Sequence, residues 1–412
     1  MELVVEKYKK TELGLIPSDW EVKTLGELGK FSKGSGVRKD EALSGDIPCI
    51  RYGELYTRHS DYIKQFYSFI SKDIAITAKK LKAGDILFAG SGETKEEIGK
   101  SVAFVNDFEA YAGGDIVILS PTTAGTLYLG YLLNAPFIQK QKASRGQGDA
   151  VVHISATQLG NIKIPLPPTL TEQTLIATVL SDADALISSL EKLIAKKRNI
   201  KQGAMQKLLQ PKEGWEVKKL GEVADITKLA GFEYTNYFNS YNDGGEIIVV
   251  RGTNITHNKM DLTDTKYIPR TTSNFLQRSK LKKNDLVFAY VGTIGPIFLI
   301  DENDRYHLGP NTSKITSGSN LYPVFLFHYF TSKLLKKEII DNTSIGAQPS
   351  LSMFKIRSFK IVLPPIMEQT HIAIILSDID NEITALETKL EKYKKVKLGM
   401  MQNLLTGKIR LV

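Results

Sequence analysis

Trp20-Glu-Val-Lys-Thr-Leu-Gly-Glu27 returns 195 residues later as Trp215-Glu-Val-Lys-Lys-Leu-Gly-Glu222. Working outward from this pair, further landmarks recur in the same order. Gly84-Asp-Ile-Leu-Phe-Ala89 returns as Asn284-Asp-Leu-Val-Phe-Ala289, Glu172-Gln-Thr174 as Glu368-Gln-Thr370, and Leu180-Ser-Asp182 as Leu376-Ser-Asp378. Gly203-Ala-Met-Gln-Lys-Leu-Leu209 returns as Gly399-Met-Met-Gln-Asn-Leu-Leu405. The offset drifts between 195 and 200, as it does when loops gain and lose residues. Matches held in one order make an internal duplication of about half the chain, and a unit written twice points to a two-fold job.

Each copy has the same plan, a module of about 150 residues followed by one long helix. In the first module Ile47-Pro-Cys-Ile-Arg, Asp85-Ile-Leu-Phe-Ala, Ser101-Val-Ala-Phe-Val and Asp115-Ile-Val-Ile-Leu read as strands bounded by turn residues. A helix is predicted near Leu127 to Ala143, broken or kinked at Pro136. The second module offers Glu246-Ile-Ile-Val-Val, Asp285-Leu-Val-Phe-Ala and Ile297-Phe-Leu-Ile as strands, then a helix from Pro323 to Ile340.

The tails differ in kind. Apolar residues fall at Ile176, Leu180, Ala183, Ile187, Leu190 and Ile194, and again at Ile372, Leu376, Ile379, Ile383, Leu386 and Leu390. This is heptad spacing, and forty helical residues would make a rod of about 60 Å. Thr169 with Glu172 has the pattern of a capping box. Gly203 and Gly399, at one place in both helices, suggest a close backbone approach. A helix this long needs a partner for its stripe, and its twin in the duplicated chain is the simplest one. The expected fold is therefore α+β, with two mixed α/β modules joined by two long antiparallel coiled-coil helices and a pseudo-two-fold internal repeat. The expected segments are 1–165, 166–210, 211–363 and 364–412.

Composition narrows the function. The chain has 412 residues, 42% of them hydrophobic and 24% charged, enough for two or three ordinary domains. Its single cysteine, Cys49, excludes internal disulfides and multi-cysteine zinc sites and fits a reducing cytoplasm. No apolar run follows the charges of Met1 to Lys10, so no signal peptide is expected there, and no uninterrupted apolar stretch is long enough to span a membrane. The net charge of +9 suggests a polyanionic partner, but the surplus is uneven: none in 1–160, three in 161–210, five in 211–360 and one in 361–412. A nucleic-acid surface must come from local clusters.

Two catalytic patterns are weak. The glycines of Phe88-Ala-Gly-Ser-Gly92 resemble a loop that holds S-adenosylmethionine, but the second copy displaces them to Gly292 and Gly295. Asp85 with Glu93-Thr-Lys95 has the spacing of a metal-dependent nuclease, yet the twin has Asp285 and no matching Glu-x-Lys. The six histidines show no metal-ligand spacing and no phosphate-binding glycine loop of the P-loop kind occurs. No catalytic residue and no metal site is expected. A single-chain nuclease or methyltransferase, and a coiled-coil protein scaffold, stay open as alternatives.

The arrangement resembles the specificity subunits of type I restriction-modification systems over nearly the whole chain. The resemblance rests on Gly14-Leu-Ile-Pro-Ser-Asp-Trp20, on Ile162-Lys-Ile-Pro-Leu-Pro-Pro168 running into Glu172-Gln173, and on Ile361-Val-Leu-Pro-Pro365 running into Glu368-Gln369. The endings Gln202 to Leu209 and Leu398 to Gly407 complete it. It implies that 1–165 and 211–363 are target recognition domains, each reading one half of a split site on double-stranded DNA. The helices would set the gap and dock two methyltransferase subunits, with restriction subunits joining later. S-adenosylmethionine, ATP and Mg²⁺ would act in those partners, with no cofactor in this chain, in the cytoplasm and away from membranes.

DNA readers need cations for phosphate and forked or amide side chains for base edges. The candidates in polar turns beside predicted strands are Lys33, Arg38, Lys39, Arg51, Lys95, Arg145 and Gln147 in the first module. In the second they are Arg251, Asn254, Tyr290, Asn311, Lys314 and Gln348. Arg51 and Arg251 stand at offset 200, each directly after a strand.

Overall fold

A computed structural model of the chain describes residues 8–238, 245–344, 346 and 348–411. Residues 1–7 of the expected first module, 239–244, 345 and 347 of the second, and 412 lie outside this set. The chain forms two compact units, Met1–Glu191 with Thr388–Val412, and Lys192–Glu387. These do not follow the four expected segments. Each unit is one module together with the near part of one long helix and the far part of the other, because the helices bury their stripes against the modules as well as extending from them.

In the first unit an antiparallel sheet runs Ser101–Ala103, Ile86–Ala89, Ile116–Pro121, Gly29–Lys33. Its two central strands read as apolar runs because both of their faces are covered. Ile86, Phe88, Val117 and Leu119 enter one core cluster, while the alternating Leu87, Ala89, Ile116 and Ile118 enter another. A second sheet, ordered Ser68–Ile70, Ile47–Ile50, Tyr111–Ala112, Lys79–Lys80, contains one parallel pair, Ile47–Ile50 with Tyr111–Ala112. The module is closed at its base, where Glu21–Thr24 just after Trp20 pairs with Lys163–Leu166 just before the helix.

The second unit repeats this plan. One sheet runs Ala224–Lys228, Thr312–Ser317, Leu286–Ala289, Ile297–Leu299, and another has Ile247–Val250 parallel to Tyr306–Leu308. Glu216–Lys219 pairs with Lys360–Leu363 as the matching closure. The predicted helix over 127–143 breaks as expected, into Thr126–Leu132 and Pro136–Ala143 with Pro136 at the start of the second piece. The helix predicted over 323–340 also breaks, into Pro323–Thr331 and Lys333–Asn342. Ser332 is the reason: its hydroxyl accepts from the Leu335 amide and starts a new helix in place of continuing the old one.

The long helices are Leu170–Leu208 and Ile366–Leu404, 39 residues each. Along the first, Ile176, Leu180, Leu190 and Ile194 are buried and Ile187 is half-buried. Along the second, Ile372, Leu376, Ile383 and Leu390 are buried and Leu386 is half-buried. Within the first unit, Glu172, Asp184 and Glu191 of one helix pair with Arg410, Lys397 and Lys394, in reversed order along the chain. Within the second, Glu368, Asp380 and Glu382 pair with Lys212, Lys201 and Lys197. The box expected at Thr169 is half made: the Glu172 amide donates to the Thr169 hydroxyl at 3.2 Å, but the Glu172 carboxylate takes Arg410.

Within the chain, Gly203 and Gly399 do not mark a close approach of the twin helix, since a Cβ at either would meet nothing within 4 Å among the described residues. Gly407 does. Its φ is +69°, and a Cβ there would overlap the Pro17 ring and lie 3.3 Å from Trp20 Cε2. Gly203→Ala and Gly399→Ala should therefore each stabilise by about 0.5–1 kcal/mol, raising the thermal unfolding midpoint, while Gly407→Ala should lower it. Circular-dichroism melting of the three variants checks both signs.

Candidate nucleic-acid interface

Asp85 and Gly92, which imitate catalytic groups, have structural duties. Asp85 is 3% exposed and holds the turn before the central strand. Its carboxylate accepts from the Lys82 amide at 2.8 Å and from Ser120 Oγ at 2.6 Å. Asp285 repeats the arrangement with the Lys282 amide at 2.8 Å and Thr316 Oγ1 at 2.6 Å. Glu93 and Lys95 lie exposed on the loop beyond. In the glycine-rich loop, Tyr56 Oη donates to the Ser91 carbonyl at 2.9 Å, and a Cβ on Gly92 would come 2.7 Å from Tyr56 Oη. The glycine makes room for a tyrosine of the protein itself.

His307 and Cys49 are buried. His307 sits between Ser273 Oγ and Ser279 Oγ at 2.9 and 3.0 Å, and burial, with Lys314 and Lys280 nearby, pushes its pKa down to about 3. Cys49 is buried in its strand, and burial pushes its thiol up to about 12. Among the described residues no group of three or more His, Cys, Asp and Glu could hold a metal ion. No described helix is long and apolar enough to cross a membrane.

The predicted DNA contacts fall into two classes. Several are braces. Arg51 follows its strand as the cap of helix Tyr52–Thr57, and its Nε donates to Ser68 Oγ at 3.2 Å beside the buried Glu54. Arg251 holds the equivalent place, with Nε donating to Asn254 Oδ1 and a terminal nitrogen on Asp264 Oδ2, both at 3.0 Å. Asn254 is 2% exposed. Its oxygen takes the Arg251 amide and Nε, and its nitrogen donates to the Asp261 and Asp264 carbonyls, so it has nothing left to offer a ligand. That corrects the expectation for Asn254: a polar residue after a strand can be a buried hub. Arg145 donates to the Gln141 and Asn161 carbonyls. Lys314 donates to the Arg278 and Lys280 carbonyls at 2.7 and 3.2 Å, and burial lowers its pKa.

The second class faces outward. Lys33, Arg38, Lys39, Lys95 and Gln147 of the first unit are exposed, as are Asn311 and Gln348 of the second. The fold brings Lys33 and Gln147 to one open cleft of about 720 Å³, although 114 positions separate them. The joint is a two-residue pairing of Ser91–Gly92 with Val152–His153, reinforced by reciprocal backbone bonds between Gln147 and His153 at 2.9 and 2.7 Å. His153 Nδ1 stands 3.1 Å from Ser91 Oγ on the same wall. In the second unit Tyr290 lines a cleft of about 600 Å³ with Lys228, Arg278 and Arg357. Burial raises the Tyr290 pKa, so its hydroxyl stays protonated. Sequence reading passed over Lys228, although it stands at offset 195 from Lys33, and over Arg278 and His153, which no local pattern marks.

Comparison with known proteins bears on this geometry. The family described as type I restriction modification DNA specificity domain matches residues 17–202 and again residues 212–396. The MjaVIII type I restriction enzyme specificity subunit of Methanocaldococcus jannaschii is 29% identical, covering 100% of this chain and 99% of the relative. The EcoKI specificity subunit of Escherichia coli is 22% identical over 87% of this chain and 82% of its own length. In fold, the chain is similar to the crystal structure of a type I restriction-modification S subunit from M. genitalium. The TM-score is 0.60 at 15% identity, over 93% of this chain and 96% of the other. It is also similar to a chain from a study of complex assembly in a type I restriction-modification system, with TM-score 0.58 at 16% identity, over 96% and 99% of the two chains.

Proposed function

Because the chain belongs to the type I restriction-modification DNA specificity family, we propose that it reads a bipartite site on double-stranded DNA, one half with each unit. It is the specificity subunit and not itself an enzyme; the catalytic activities of this family lie in other subunits. The observation that carries the two-part reading is the duplicated closure: each module is tied off by a strand pair at the foot of a 39-residue helix.

In this reading the two helices pair antiparallel as a coiled coil through the stripe Ile176, Leu180, Ile187, Leu190, Ile194 and the stripe Ile372, Leu376, Ile383, Leu386, Leu390. They act as the spacer between half-sites and as the seat of two methyltransferase subunits, joined by restriction subunits in the cytoplasm. S-adenosylmethionine, ATP and Mg²⁺ serve those partners. Lys33, Arg38, Lys39, Lys95, Gln147, Asn311 and Gln348 are exposed and supply contacts to DNA. Arg51, Arg145, Arg251 and Lys314 shape the loops that carry them.

Salt separates DNA reading from a protein scaffold. A complex that neutralises six or more phosphates should lose about a thousandfold in affinity between roughly 50 and 200 mM salt, with a log-log slope of about −0.9 per phosphate. The measurement is a binding titration of the chain, assembled with its methyltransferase subunits, against duplex DNA. A flat response would favour the scaffold.

A further inference from the structure

The two clefts occupy one place in the duplicated fold. In the first unit the walls are the strand end Phe31 to Lys33, the residues Gly90 and Ser91 after the central strand, and the start of helix Ala156–Gly160. In the second they are Ile226 to Lys228, Tyr290, and the start of helix Met353–Arg357. The wall offsets are 195 for Lys33 and Lys228, 200 for Gly90 and Tyr290, and 197 for Ser155 and Ser352, all within the drift of the repeat.

What stays and what changes between the clefts is informative. The framework stays: Ser155 and Ser352 each cap their helix by accepting from the backbone amide three residues on, at 3.2 Å in both. The rim lysine stays too. Lys33 and Lys228 are both exposed, and neither ammonium has a hydrogen bond or ion pair among the described residues. The recognition chemistry changes. The first cleft offers the exposed Gln147 amide beside the His153 ring, and the second offers Arg278 beside the Tyr290 hydroxyl. Arg278 is held through one terminal nitrogen by the Lys228 carbonyl at 2.6 Å and the buried Glu233 carboxylate at 3.8 Å, which leaves its side chain 53% exposed and its other nitrogens available in the cleft for a base edge.

Phosphates are the same at every step of a duplex, whereas base edges differ. A reader duplicated to address two unlike half-sites keeps its phosphate contact and varies its base contacts. We propose that these paired clefts are the base-reading sites, with Lys33 and Lys228 each neutralising one phosphate, Gln147 reading an adenine edge and Arg278 a guanine edge. An amide suits adenine N6 and N7, and a guanidinium suits guanine O6 and N7. The assignment rests on the DNA-reading function above and adds the location and the chemistry of each half.

The test uses the full chain assembled with its methyltransferase subunits, read by genome-wide mapping of modified bases and by salt titration of binding. Gln147→Ala should relax discrimination roughly tenfold to a hundredfold at one position of one half-site. Arg278→Ala should do the same in the other half only. Lys33→Ala and Lys228→Ala should weaken binding to all sequences alike and make the log-log salt slope shallower by about one each. Should Gln147→Ala fold poorly, Gln147→Glu serves instead, with the preference expected to move toward cytosine, whose N4 donates to a carboxylate. If the wild-type assembly modifies a bipartite site and these variants modify the identical sequence, the clefts are not the readers and the function stands. A wild-type assembly that modifies no bipartite site overturns the function, and the cleft assignment with it.

Discussion

Seven residues inserted into each long helix, after Leu190 and after Leu386, should set the two proposed half-sites roughly three base pairs farther apart than in the wild type. Seven helical residues add about 10 Å, and base pairs are about 3.4 Å apart along the duplex. A heptad is close to two turns, so the apolar stripes keep their register. Both insertion points lie within one residue of the division between the compact units, at Glu191 and Glu387. No module residue changes, so the bases within each half should not change. An insertion of four residues should give a smaller gain and lower stability, because it rotates the stripe. Mapping of modified sites measures both. A lengthened chain still active on the original spacing would show that the helices do not set the gap.

Lys397→Met should cause a large loss of stability, roughly 3–5 kcal/mol, by stranding two carboxylates away from water. In the first unit the Lys397 ammonium lies 2.7 Å from Asp184 and 3.1 Å from Asp61, over the face of Tyr131, whose hydroxyl donates to Asp184 at 2.8 Å. Burial works against the lysine charge, but Asp61 and Asp184 outweigh it and hold the pKa above the ordinary 10.5. A raised lysine pKa stabilises below the unfolded value and stops doing so as pH climbs through the folded one. The gap between wild type and variant should therefore hold near neutrality and narrow only above about pH 10.5.

The second unit supplies a built-in control. There Lys201 meets both oxygens of Asp380 at 2.6 Å, but that carboxylate is 35% exposed and His328 replaces the tyrosine. Burial, with Lys201 adding to it and Asp380 opposing, pushes His328 down to about 4, so it carries no charge at neutral pH. Lys201→Met should cost about 1 kcal/mol, because its orphaned partner can still reach water. Urea unfolding of both variants checks the ranking, and equal losses would contradict it.

Repetition made much of this fold legible. Trp20 and Trp215 mark equivalent joints, and each comes under a cation paired with the first-turn glutamate of a long helix: Arg410 with Glu172, Lys212 with Glu368. The apolar strands could be read because a sheet covered on both faces permits only such runs. The proposed recognition surface was harder. Lys33 and Gln147 meet through a strand pair two residues long, too short to leave any periodicity. Arg251 and Asn254 looked like a ligand pair but hold each other, and whether a polar side chain after a strand turns in or out depends on loops such as Asp261 to Asp264 that no local pattern specifies.

The discontinuous make-up of the first unit bears on how the chain matures during synthesis. Residues 8–191 leave the ribosome first, yet their core includes Leu404 and Leu405, 5% and 0% exposed, and Trp20 lies against Gly407. The second unit is one continuous stretch, Lys192–Glu387, whose core needs nothing made later. At roughly 5–20 residues per second, the first module waits on the order of ten to forty seconds for its last helical stretch, with apolar surface uncovered. The later half of the message thus yields the first finished body. Translation speed and chaperone supply will therefore weigh most on the module whose codons come first.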